Sequence, residues 1–125
     1  MNTAVSYENE LLLKTVQSFL EAEIYPHEEE VDRAGEVPLE LGHQIEQRSK
    51  EVGLFASNLP GHVGGGGLNY TAMSVVEREY GKTSHALHSW IARPTELLLA
   101  CEGDQIARYL DPCVTGEKRE LFALT

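Results

Sequence analysis

Basic residues are scarce in this sequence. Lys and Arg number 10 against 20 Asp and Glu, for a formal net charge of −10. That balance leaves no basic stripe of the kind a nucleic-acid or anionic-membrane surface requires. Cysteine is scarcer still. Cys101 and Cys113 are the two in the chain, too far apart for a CxxC redox or metal pair, and two lone thiols fit a reducing compartment better than a disulfide scaffold. No apolar run approaches the roughly 18 residues that span a bilayer. The start, "MNTAVSYENE", has neither a basic nor an apolar leader region, so no secretory signal is evident and the cytoplasm is the expected location. There is no internal repeat, and no low-complexity tract beyond the glycines at 64–67.

What remains is a globular mix, 42% hydrophobic and 24% charged over 125 residues, enough for one domain with a real core. It reads as helices separated by glycine stops. From Tyr7 onward, Leu13, Val16, Leu20, Ile24 and Val31 fall on one helical stripe, with Ser6 as N-cap and Glu8 and Glu10 in the first turn. Pro26 must kink or interrupt this helix, and Gly35 stops it. A second helix starts at Pro38, buries Leu41, Ile45 and Val52, and ends at Gly53. A third runs from about Asn69 to Tyr80 and closes at Gly81. A fourth is expected from Ser84 toward Cys101, with Leu87, Trp90, Ile91, Leu97, Leu98 and Cys101 on one apolar face and strain at Pro94. A short fifth, near Asp104 to Leu110, precedes Pro112. The expected class is all-α, an antiparallel bundle of about five helices.

Several stretches could carry chemistry. "GHVGGGGL", residues 61–68, resembles a phosphate cradle, but Leu68 and Asn69 stand where a P-loop needs Lys and Ser or Thr. No strand precedes it to make a dinucleotide fingerprint. A tight loop that lets helices approach closely is the better reading. "HALH" puts His85 and His88 one helical turn apart, and Glu23, His27 and Glu30 share a face. A di-iron bundle needs Glu-x-x-His pairs, and that order never occurs, so no metal site is assigned. Ser49, Ser57 and Ser74 lack a nucleophile-elbow context. On the fourth helix, His88, Ala92 and Leu99 form a second, mildly polar face, which would suit the lining of a cavity.

The end of the sequence, "LFALT", follows the Pro- and Gly-punctuated loop "DPCVTGEKRE" and reads as the opening of a strand. Five residues cannot make a sheet alone. The expectation is therefore the front part of a longer protein, divided as a helical domain over 1–120 and the start of a β domain over 121–125.

Three pieces in this order carry a family resemblance. "FLEAEIYPHEEEVDRAGEVP", "GLFASNLPGHVGGGGLNYTAMSVVEREYGK" and "GDQIARYLDPCVTGEKRELFALT" together resemble the amino-terminal helical domain of acyl-CoA dehydrogenases, ending on the first strand of the middle β domain. The resemblance implies an FAD-dependent oxidoreductase that desaturates an acyl-CoA thioester between Cα and Cβ and passes electrons to an electron-transfer flavoprotein, as a homodimer or homotetramer. It implies that Phe122, Leu124 and Thr125 approach the flavin and that Ser84, His88 and Ala92 lie beside the acyl tail. No catalytic residue is assigned: the family's catalytic glutamate has no counterpart in these residues, which by themselves are expected to be inactive. Two features depart from the family's pattern. Gly61 and His62 stand where an acidic pair is common, and Trp90 and Arg93 are unusual. The alternative from a different class is a helical interaction module that binds a partner and no flavin.

Overall fold

The computed structural model describes residues 6–125, and all regular structure among them is helical. Helix α1, Tyr7–Glu23, begins at Ser6, whose hydroxyl accepts from the Asn9 N–H over 3.3 Å. Pro26 has no N–H to continue the ladder, and the chain answers with one 3-10 turn, Tyr25–His27, before α2, Glu28–Ala34. Gly35, at φ +77°, ends α2 as expected of a C-terminal glycine.

Helix α3, Leu39–Glu51, starts one residue after Pro38, which is extended and caps rather than opens it. Its buried face is Gly42, Ile45, Glu46 and Ser49, at i, i+3, i+4 and i+7. This differs from the expected stripe. Leu41 is only partly buried and Val52 is exposed, because Val52 is already the C-cap. Helix α4, Tyr70–Tyr80, is capped by the Asn69 side chain, which accepts from the Ala72 N–H over 2.9 Å.

Helix α1 packs chiefly on α4, with α3 alongside. The main core joins Val16 and Leu20 of α1, and Ile24 at its C-cap, to Ile45 of α3 and Val76 and Tyr80 of α4, each fully buried. At about 1.5–3 kcal/mol per buried aliphatic side chain, this cluster dominates the stability of the domain. A second cluster, Phe55, Ala56, Leu59, Leu110 and Val114, lies under the glycine loop and the last helix.

The expected fourth helix is corrected. Helix α5 is four residues, His85–His88; residues 89–95 are irregular, and a 3-10 turn covers Glu96–Ala100. Pro94 removes a helical donor and steers Arg93 away from helical backbone. Side chains and distant backbone take the freed carbonyls: Ala56 N–H bonds Ala92 O at 2.8 Å, Asn58 Nδ2 bonds Pro94 O at 2.7 Å, and the segment's own Arg93 Nη1 bonds Ile91 O at 2.7 Å. The single apolar face therefore dissolves. Leu87 and Ile91 enter the main core, Leu98 and Cys101 join the second cluster, and Leu97 is 74% exposed.

The last helix also runs further than expected. A π turn, Ile106–Leu110, leads directly into α6, Asp111–Thr115, and the stop is Gly116 at φ +84°. Pro112 falls in the first turn of α6, where a missing N–H costs little. Residues 121–125 belong to no regular element, and among the described residues no strand lies beside them. Leu121, Phe122 and Leu124 are exposed. No described helix is long and apolar enough to cross a membrane.

Candidate functional site

The glycine loop is a scaffold. The N–H groups of Gly65, Gly66, Gly67 and Leu68 all turn inward, onto the carbonyls of Pro60, Ala56, Leu59 and Ser57 at 2.8–3.1 Å. Amides so engaged cannot cradle a phosphate. The approach is tight enough to require glycine: a Cβ on Gly65 would lie 2.1 Å from Leu59 O. The loop grips Ala56, which has a left-handed backbone at φ +50°. That conformation costs a non-glycine residue roughly 1–2 kcal/mol. It is held because Ala56 O accepts from Gly66 N–H while Ala56 N–H donates to Ala92 O.

Through that last bond the loop fixes one wall of a groove of about 610 Å³. Residues 89–97 form this wall, with Ile91, Ala92 and Leu97 along it; residues 118–122 form the other, ending on Leu121 and Phe122. Phe55 and Cys113 stand behind them. Glu120 ties the walls together by accepting the Thr95 N–H. Burial pushes the Cys113 thiol pKa up, and Glu120 adds to the effect, so this thiol stays protonated near neutral pH and is a weak nucleophile.

Arg93 stands in the groove wall, but its charge faces inward. Its Nε pairs with Glu77 at 2.5 Å, and its guanidinium lies 4.9 Å from the Tyr80 ring centroid. His88 is 7% exposed and stacks on the same Tyr80 ring, with centroids 5.7 Å apart. Burial, then the Arg93 charge, then His85 lower the His88 pKa to about 4, so the ring is neutral. The Tyr80 phenol is raised by burial, and its hydroxyl has no partner among the described residues.

The six residues singled out from the sequence thus separate. Ala92 and Phe122 line the groove together. Leu124 and Thr125 continue past it, exposed. His88 lies behind the wall against Tyr80, and Ser84 sits at the start of α5 with its N–H bonded to Glu28 Oε1 at 2.7 Å. The His85 and His88 rings meet edge to face at 5.0 Å, and among the described residues no three His, Cys, Asp or Glu side chains gather as a metal set. Sequence reasoning missed Phe55, Cys113 and the run Lys118–Glu120, which reach the groove only through tertiary folding.

An all-helical domain with an apolar groove between two loop walls is the setting in which the comparisons fall. Residues 6–117 match the family described as acyl-CoA dehydrogenase, N-terminal domain. The chain belongs to the acyl-CoA dehydrogenase family, as its amino-terminal domain. It is 32% identical over 123 residues to the 3-(aryl)acrylate reductase of Clostridium sporogenes, covering 94% of this chain and 32% of that protein. It is 29% identical over 126 residues to the caffeyl-CoA reductase–Etf complex subunit CarC of Acetobacterium woodii, covering 96% and 32%. To the mitochondrial short-chain specific acyl-CoA dehydrogenase of Bos taurus it is 26% identical over 122 residues, covering 94% and 29%. The chain spans about a third of the length of these curated relatives. No solved structure matches it.

Proposed function

We propose that this domain walls the acyl pocket of an FAD-dependent enzyme that desaturates an acyl-CoA thioester between Cα and Cβ. The observation that carries the reading is the apolar groove between residues 89–97 and 118–122 in a chain of this family. Its Ile91, Ala92, Leu97 and Phe122 would exclude water from the acyl group, and hydride chemistry needs a dry site. FAD, when bound, supplies the hydride-accepting ring. Residues 121–125 fit one edge of such a ring: their backbone N–H and C=O groups have no partners among the described residues, Phe122 and Leu124 offer exposed apolar surface, and Thr125 adds a hydroxyl. The proton-abstracting glutamate is assigned to no residue here. An electron-transfer flavoprotein is the proposed partner, supported by the relative named for an Etf complex.

A second reading has a specific basis. Two of the relatives are named as reductases of acrylate-type substrates, so the same carbon–carbon bond would be reduced rather than oxidised. The test is anaerobic titration of the full-length flavoprotein. Bleaching of the flavin by a saturated acyl-CoA supports desaturation; reoxidation of the reduced flavin by an enoyl-CoA, without bleaching by the saturated thioester, supports the reductase reading. A protein that binds no flavin refutes both.

A further inference from the structure

The second wall of the groove is pinned at three successive residues. The Lys118 N–H bonds Pro112 O at 2.9 Å, Arg119 Nη2 bonds Glu46 Oε2 at 2.9 Å, and Glu120 accepts from Thr95. The middle contact differs in kind, because Glu46 belongs to α3 and does not line the groove. It is 8% exposed, and Lys50, one turn along, already neutralises it at 2.7 Å. Arg119 therefore adds location rather than charge balance.

That location is set in two directions. The Arg119 guanidinium donates to the Glu46 carboxylate and lies 4.1 Å from the centroid of the Trp90 ring. A planar guanidinium held by a carboxylate at its edge and an indole on its face has little freedom left. Trp90 is itself seated where Gly42 leaves a gap in α3. Glu46 also lies beside the Gly116 turn, where a Cβ added to the glycine would come within 2.6 Å of its Oε1. One buried carboxylate thus meets the 116–122 segment at both its start and its middle.

We propose that Glu46 is a positioning residue for the groove: through Arg119 it fixes the 118–122 wall against the 89–95 wall, and so sets the width of acyl group accepted without touching it. The inference rests on the functional reading above. Opening the clasp would let Leu121 and Phe122 move away from Ala92 and Leu97, which favours bulky acyl groups over slim ones.

The experiment uses the full-length enzyme with Glu46→Gln, Arg119→Met and the pair combined. Hydrogen exchange should quicken in peptides covering 116–124 and stay unchanged in α1 and α4. The kcat/KM ratio of a phenyl-bearing over a straight-chain acyl-CoA should rise about tenfold, the order that altered fit in an apolar pocket carries. The double variant should match either single one, since both break the same link. Unchanged exchange at 116–124, an unchanged ratio, or additive effects overturn the proposal, as does faster exchange throughout the domain. Should Glu46→Gln not fold, Arg119→Lys, which keeps the charge but loses the planar fork, carries the same readouts. A wild-type enzyme that turns over no acyl-CoA refutes the functional reading before any variant is made, and the exchange experiment still decides whether Glu46 holds the wall.

Discussion

Replacing Gly42 by alanine tests the packing beneath the groove, because the expected sign runs against the usual rule. In the interior of a helix, Gly→Ala ordinarily stabilises by about 1 kcal/mol. Here the added Cβ would lie 2.1, 2.2 and 2.4 Å from Cε2, Cζ2 and Cδ2 of Trp90. Carbon pairs rest at about 3.5–4.0 Å, so the indole would have to retreat by about 1.5 Å. It is a rigid plate with no flexible end to give way. Arg119 lies against its ring and His43 meets it edge to face at 5.5 Å. Overpacking of this kind costs about 1–3 kcal/mol before the propensity gain is subtracted, and disturbing Arg119 adds to it. A net loss of about 1–2 kcal/mol is expected, read as a lower urea midpoint at constant m. In a Trp90→Ala background the obstacle is gone, and the same substitution should stabilise by up to about 1 kcal/mol. If Gly42→Ala stabilises in both backgrounds, Trp90 does not occupy this gap and the account of the clasp fails with it.

Three further outcomes are expected. In the full-length enzyme, Ala92→Phe should lower kcat/KM for long acyl-CoAs by roughly 5- to 150-fold while sparing short ones, because it fills a groove-lining position. Leu87→Ala, fully buried in the main core, should instead cost about 2–5 kcal/mol of stability and leave chain-length preference alone; a reversal of the two effects would mean that the core and groove positions are misassigned. Acid stability should report on His88, whose folded pKa of about 4 lies below its ordinary 6.5. Between those values the unfolded chain holds a proton that the fold refuses, so stability falls as pH drops from 6.5 toward 4, by at most about 3 kcal/mol. His88→Phe keeps a ring against Tyr80 without the titration, and thermal unfolding across this window should show a flatter slope; parallel slopes for both proteins would exclude His88 as the cause.

The helix ends were legible because their causes are local. Ser6 and Asn69 cap through their own side chains, and Gly35 and Gly53 adopt left-handed backbone at φ +77° and +76°. A capping bond spans three residues, so three residues suffice to see it. The fourth helix failed for the opposite reason. Its periodicity was real, but Pro94 cut it, and the donors that made an irregular path affordable, Ala56 N–H and Asn58 Nδ2, come from more than thirty residues upstream. No window along 84–101 contains them.

The groove shows the same division at the level of single residues. Ala92 could be picked out because a small residue on a second helical face is visible in sequence, and it lines the groove even though the helix that motivated the choice is absent. Glu46 could not. In sequence it is one acid among 20 Asp and Glu, on a helix whose expected apolar stripe is Leu41, Ile45 and Val52. The hint lay in Gly42, a poor helix former placed within a helix. A glycine there leaves space for a large side chain, and the chain has a single tryptophan to fill it. Once Trp90 is seated on Gly42, α3 is turned so that Glu46 faces inward with Ile45 and Ser49. A carboxylate so buried requires a cation, which Lys50 supplies from the same helix. Its second oxygen is left to hold Arg119, which brings the groove wall with it. The wall is therefore fixed by a sequence of steric and electrostatic demands that begins at a missing side chain, 77 residues before the arginine it finally places.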